Sequence, residues 1–235
     1  MRHILVMLIC SFCLVPAFAK NKTVKIETNY GVILLKLYDN TPLHSANLIK
    51  LCREHYFDST LFHRVIPSFV IQGGDPDSKH AGPDKQLGDG DLNYLVPAEI
   101  NAVNYHKRGA LGMARDNNPE KKSSACQFYI VVGKVVTEEQ LKTISSKTNR
   151  VFTSEQRKVY TTLGGTPFLD GNYTVFGEVI KGMDVVDSIA MLSRNAADRP
   201  FEDVRMLKVR VLRNKFLETK IHNLYLKNFL RNRNP

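Results

Sequence analysis

The chain has 235 residues, four cysteines and a formal net charge of +10, which is enough for one well-buried domain with extensions. The basic excess is concentrated, because residues 213–235 carry +5 and residues 133–165 carry +3. The high isoelectric point therefore belongs to appendages, and no nucleic-acid partner is expected of the main body.

Residues Met1-Arg2-His3, the apolar run Ile4 to Val15 and Ala17-Phe18-Ala19 have the order of a secretory signal peptide over residues 1–19. The apolar run is shorter than the roughly 20 residues of a spanning helix, so export after cleavage is expected, with an uncleaved anchor as the alternative. Beyond it only Cys52 and Cys126 remain, too few for a disulfide framework. Two buried thiols are expected, with a single bridge as the alternative.

Thr23–Glu27 and Val32–Leu37 alternate around Asn29-Tyr30-Gly31, a hairpin pattern. Thr41-Pro42 looks like an N-cap with proline at the first helical position, opening a helix to about Glu54 with Ala46, Ile49 and Cys52 on one face. Leu61–Ile66 and Phe69–Gln72 then flank Pro67-Ser68 and end on Gly73-Gly74. Alternation separates Arg64 from His63 and Val65, and sets Val70 and Gln72 on the face opposite Phe69 and Ile71. Glycines there permit close approach of a ligand backbone. Taken alone, the stretch equally describes a surface arginine beside a core hairpin.

Residues 76–95 read as loop. Asp89, Asp91 and Asn93 start like a calcium loop, but Tyr94 and Ile100 occupy its sixth and twelfth places, so these are expected to be solvated acids. Gly109–Ala114 and Gln127–Val132 read as strands. Thr137-Glu138-Glu139-Gln140 and Thr153-Ser154-Glu155-Gln156 each read as a helix start, predicting short helices over 138–146 and 154–163 closed by Gly164-Gly165. Tyr173–Val179 is a further strand, Gly182 precedes a helix bearing Val185, Val186 and Ile189, and Val204–Leu212 is a last strand. Short strands with only two helices in the main body predict an all-β dominated, closed antiparallel barrel. From Asn214 onward, Leu217, Ile221, Leu224 and Tyr225 lie among Lys215, Lys220, Lys227 and Arg231. This basic amphipathic tail is expected to dock on its own domain, with weak contact to an anionic surface as the alternative. The domain boundaries are thus 1–19, 20–212 with an insertion at about 133–165, and 213–235.

Four segments in this order resemble the cyclophilins, the peptidyl-prolyl cis–trans isomerases: Phe62 to Asp75, Gly112-Met113-Ala114-Arg115, Gln127-Phe128-Tyr129-Ile130, and Phe168 to Gly177. The likeness covers roughly residues 22–212 apart from 133–165. It implies an eight-stranded antiparallel barrel capped by two helices, with a shallow groove outside. It implies a catalytic role for Arg64, supported by Gln72 and Phe69. Substrate-binding positions are His63, Val70, Ala114, Arg115, Gln127, Tyr129, Phe168, Leu169 and Tyr173, with the backbone around Ala114-Arg115 pairing with the substrate main chain. Rotation about an amide makes and breaks no bond, so neither cofactor nor metal is expected. The expected partners are proline-containing unfolded or flexible polypeptides, met by a monomer. The insertion and the Met113-Ala114-Arg115 wording resemble exported bacterial cyclophilins, which implies the periplasm, with a eukaryotic secretory lumen as the alternative. A non-catalytic proline-peptide binder or holdase on the same barrel is the rival reading, which the joint presence of Arg64, Phe69 and Gln72 disfavours.

Phe168 stands where many cyclophilins carry tryptophan, Tyr173 where histidine is frequent, and Tyr129 where phenylalanine is usual, so a hydroxyl at the pocket floor is expected to narrow substrate choice. The insertion replaces a short connection leading to Phe168 and is expected beside the groove. Phe168 lacks an indole N–H donor, so weak cyclosporin binding with isomerase activity retained is expected; titrating the drug into an isomerisation assay checks this, and potent inhibition at nanomolar drug contradicts it.

Overall fold

Strong period-two alternation makes the first two strands, β1 (Lys22–Thr28) and β2 (Gly31–Leu37), which pair in register with Ile26 opposite Ile33. The computed structural model describes residues 22–212; the expected signal peptide and basic tail lie outside the described residues. The chain continues through α1 (Pro42–Arg53), β3 (Arg64–Ile66), β4 (Val70–Gly73), β5 (Leu95–Val96), β6 (Ala110–Met113), β7 (Ser123–Ser124) and β8 (Phe128–Val131). It ends with α2 (Glu138–Thr148), α3 (Ser154–Thr162), β9 (Val175–Lys181), α4 (Met183–Ala190) and β10 (Met206–Leu212). A 3-10 turn at Pro76–His80 interrupts the stretch expected as loop, and β5 pairs only with β7.

Eight strands form one antiparallel sheet in the order β10-β1-β2-β9-β6-β8-β4-β3. The sheet curls until its edges approach. Leu61 bridges Arg205, the Phe62 N–H donates to Val204 at 2.9 Å, and the Met206 N–H donates to Thr60 at 2.8 Å. Inward residues of alternate strands, among them Ile26, Leu35, Ile71, Phe128, Ile130 and Phe176, fill the interior. Helices α1 and α4 cap it with Leu48, Leu51 and Cys52 on one and Val186 and Ile189 on the other.

Two local expectations for α1 change. Ala46 is exposed, and the buried face instead carries His44, Ser45, Leu48, Ile49, Leu51 and Cys52. Thr41 makes no side-chain cap; the Glu99 carboxylate accepts from the Leu43 and His44 N–H groups at 2.9 Å each. A distant carboxylate thus meets both the orphan donors and the positive helix end. Cys52 and Cys126 are buried and unbridged, and burial pushes both thiols up to about 12.

The insertion is a small unit with its own core of Val136, Leu141, Phe152 and Tyr160. Both helix starts close capping boxes, Thr137 with Gln140 and Thr153 with Gln156. Its two ends touch, since a Cβ on Gly133 (φ +62°) would overlap the backbone of Gly165. Glycine at 133 therefore serves both the left-handed backbone and the close approach.

Asp58, beyond α1, grips the last strand. Its carboxylate receives both terminal nitrogens of Arg210 at 2.7 Å each and the Val209 N–H at 3.1 Å. Burial opposes its charged form, but Arg210, Val209 and His55 outweigh it and hold the carboxyl down to about 2. A carboxyl lowered on folding stabilises above its unfolded value near 4, and this contribution fades as pH falls toward 2. Asp58→Asn is expected to lower stability at neutral pH and to flatten the acid limb between about pH 4 and 2, checked by denaturant unfolding across that range.

Candidate functional site

Strand pairing sets the site. Arg64 on β3 lies opposite Gln72 on β4, Gln72 opposite Tyr129 on β8, and Tyr129 opposite Gly112 on β6. Side chains that do not enter the barrel form an outer patch of Val70, Ala110, Tyr129, Val131 and Val175, with Phe69, Ala114, Leu169 and Tyr173 against it. A pocket of about 190 Å³ opens on this patch. Phe69, Val70, Tyr129, Leu169 and Tyr173 give it apolar walls, while Arg64, Gln72 and Arg115 bring polar groups to it.

Phe69 belongs to this pocket although simple alternation sets it on the opposite face. It sits in the turn before β4, after Ser68 in left-handed backbone (φ 59°), so the strand period does not extend to it. Arg64 is 40% exposed and pairs through Nε with Asp198 at 3.7 Å. The carbonyl of the same Asp198 accepts the Val65 N–H at 2.9 Å. Arg115 covers the Tyr173 ring at 5.1 Å and donates from Nε to the Asn172 carbonyl at 2.8 Å.

Several expected binding residues have other placements. His63 is buried behind Arg64 and lines an adjoining cavity; neither ring nitrogen has a partner among the described residues. Burial is the main reason its imidazole is lowered to about 4. Gln127 is buried as well. Its Oε1 accepts from Gln72 at 3.0 Å, while its Nε2 donates to the carbonyls of Gly88 and Gly90 at 2.8 and 2.6 Å. It positions Gln72 and does not reach the pocket. Ala114 lines the pocket, but its N–H donates to Gln127 and its C=O accepts from Ser124. The Ala114 backbone is thus already paired within the protein. Phe168 stands at the rim, 49% exposed, its ring stacked on Phe69 with centroids 5.7 Å apart.

The Tyr129 hydroxyl is not offered to the pocket floor. It donates to Nε2 of buried His106 at 2.8 Å, and Nδ1 of His106 donates to Asp170 at 2.7 Å. A carboxylate only accepts, so Nδ1 carries a hydrogen, and in the neutral imidazole Nε2 is then the acceptor of the Tyr129 hydroxyl. Asp170 also accepts the His106 N–H at 2.8 Å and the Tyr160 hydroxyl at 2.7 Å. Burial, then the nearby Asp170 charge, pushes the Tyr160 phenol upward. Gly112 makes room for this arrangement, since a Cβ there would overlap the outer ring and hydroxyl of Tyr129. Asp170, His106, Gly112 and Asp198 are the contributors that sequence reasoning misses. Asp170 and Gly112 had a sequence sign, inside the segments Phe168 to Gly177 and Gly112-Met113-Ala114-Arg115; His106 and Asp198 had none.

A family model described as cyclophilin type peptidyl-prolyl cis-trans isomerase matches residues 23–211. A peptidyl-prolyl cis-trans isomerase of Schizosaccharomyces pombe is 32% identical over 187 residues, covering 79% of this chain and 96% of its own. A peptidyl-prolyl cis-trans isomerase-like protein of Mus musculus is 31% identical over 186 residues, covering 79% and 89%. The crystal structure of a Cryptosporidium parvum cyclophilin type isomerase matches with TM-score 0.58 and 24% identity over 82% of this chain and 98% of its own. Its structure in the presence of the dipeptide Ala-Pro matches with TM-score 0.57, 25% identity and coverage of 82% and 99%.

Tyr129→Phe removes the one partner of His106 Nε2 and leaves a buried acceptor unpaired. A loss of about 1–3 kcal/mol in unfolding free energy is expected. Gly112→Ala overpacks the same place, with a loss of about 1–3 kcal/mol, and drives the Tyr129 ring toward the pocket. Denaturant unfolding reads both losses, and weakened binding of a proline peptide reads the second variant's effect on the pocket.

Proposed function

The chain belongs to the cyclophilin-type peptidyl-prolyl cis–trans isomerases, and from that premise we propose that it accelerates X-Pro rotation in exported polypeptides, with Arg64 meeting the twisted amide. The observation that carries this reading is the Arg64 guanidinium, among the described residues not stacked on a ring as Arg115 is, beside an apolar pocket of Phe69, Val70, Tyr129 and Leu169.

The barrier is about 18–20 kcal/mol of amide resonance, and unaided X-Pro exchange takes tens of seconds or longer. Only contacts stronger in the twisted state than in either planar isomer accelerate it. The proline ring is held by burial in the apolar pocket. On twisting, the ring nitrogen becomes pyramidal and regains a lone pair, which the Arg64 guanidinium meets as a permanent cation with several donors. Asp198 engages Arg64 through Nε, which leaves the two terminal nitrogens for the substrate. Gln72, held in turn by Gln127, supplies a further polar contact to the substrate backbone. The Ala-Pro dipeptide in the related Cryptosporidium structure supports a proline ligand for this pocket.

The setting of the reaction rests on the order of charged, apolar and small residues in residues 1–19. We place the enzyme in the periplasm, as a monomer acting on flexible proline-containing chains during their folding. Arg64→Ala is expected to lower kcat/KM on an Ala-Pro peptide by about 10²–10³-fold, the usual cost of one transition-state donor. Arg64→Lys is expected to restore only part of it. A protease-coupled or exchange assay decides. No acceleration by wild type would leave a proline-binding module in place of an enzyme, and full activity in Arg64→Ala would remove Arg64 from the catalytic role.

A further inference from the structure

Helix α2 of the insertion stands beside the Phe69–Phe168 stack and closes off a second pocket of about 370 Å³. Val136, Ile144, Pro167 and Phe168 give it an apolar floor, and Lys134 and Glu139, of opposite charge, stand among its other lining residues. The two pockets share a wall. Ser68 and Phe168 line the second, and their chain neighbours Phe69 and Leu169 line the first.

We propose that this second pocket is an auxiliary subsite for a bulky apolar side chain of the same polypeptide whose proline occupies the first. The proposal rests on the isomerase reading and adds a sequence preference to it. The occupant follows from continuity. A chain seated in the proline pocket runs over an open rim formed by Phe168, which is 49% exposed, lines the second pocket and stacks its ring on Phe69 of the first. Extended chain advances about 3.3–3.6 Å per residue, so a side chain roughly two to four residues from the proline reaches past the stacked rings. The second side chain is already tethered by the first, so even modest apolar burial raises occupancy. With one lysine and one glutamate among the lining residues, the pocket selects an uncharged side chain over an acidic or basic one.

The test uses the full chain and equal-length peptides with a single Ala-Pro bond in an all-alanine background. One phenylalanine is moved through positions two to five residues from the proline, on either side. Wild type is expected to show a maximum in kcat/KM at one position, about tenfold above the all-alanine peptide. Thr143→Trp, an exposed position lining the pocket, is expected to abolish that maximum while leaving all-alanine turnover unchanged. A thermal melt matching wild type confirms that the variant is folded. A flat profile in wild type, or a maximum that survives Thr143→Trp, overturns the subsite. A wild-type dimer that Thr143→Trp dissociates assigns the pocket to a second copy and likewise overturns it. Failure to turn over the all-alanine peptide at all overturns the isomerase reading, and the subsite with it.

Discussion

The Asp170 carboxylate joins three parts of the chain that sequence separates. It accepts the backbone N–H and ring Nδ1 of His106 and the hydroxyl of Tyr160, with Arg150 at 3.9 Å. Its side chain is 0% exposed, and a carboxylate so placed is tolerated only when donors replace the lost water. The donors come from two separate places, the approach to β6 and the insertion. Through His106 the same group fixes the hydroxyl, and hence the ring plane, of Tyr129. The floor of the pocket beside Arg64 is therefore held from behind by a buried hydrogen-bond chain, one end of which is anchored in the insertion.

This arrangement gives the insertion two kinds of contact with the groove. Tyr160 acts through the buried chain, while α2 lies on the outside against Pro167 and Phe168. A unit whose two ends meet at Gly133 and Gly165 needs little room on the barrel, yet its position beside the rim is fixed at several points. On the opposite wall, order comes from another polar relay. The carbonyls of Gly88 and Gly90 hold Gln127, Gln127 holds Gln72, and Gln72 stands opposite Arg64. Both walls are thus oriented by groups that do not touch a ligand. Such buried networks, once fully paired, favour one geometry over its neighbours.

Much of this was legible locally. The strands β1, β2, β4, β6, β8 and β10 follow from alternation, and both insertion helices follow from Thr-x-x-Gln starts whose partners are three residues apart. The same period separates Arg64 from its neighbours and sets Val70 with Gln72, and the family likeness is what sets these and Tyr129 on a groove. The departures have separate causes. Phe69 lies in the turn before β4, where the strand period does not hold, whereas Ala46 lies within α1 but beside the stripe of His44, Ser45, Leu48, Ile49 and Cys52 that faces the barrel. The family likeness sets His63 and Gln127 among the binding positions, but His63 is buried and faces a cavity lined by residues 83–89 and 195–199, and Gln127 is held by the carbonyls of Gly88 and Gly90. Thr41 was read as a cap because it precedes Pro42, whereas Glu99, 56 residues from Leu43, takes that role.

The sequence by itself determined the strand faces, the helix starts, the family likeness and the set of residues around Arg64, because each depends on near neighbours or on motifs kept in order. Tertiary structure alone decided which polar groups are consumed inside the protein. His106 and Asp170 are 64 residues apart, and His106 and Tyr129 are 23 apart. Their hydrogen bonds exist only after the sheet has curled and the insertion has docked. The hydroxyl at Tyr129, which the family likeness sets at the pocket floor, is for that reason spent on the scaffold.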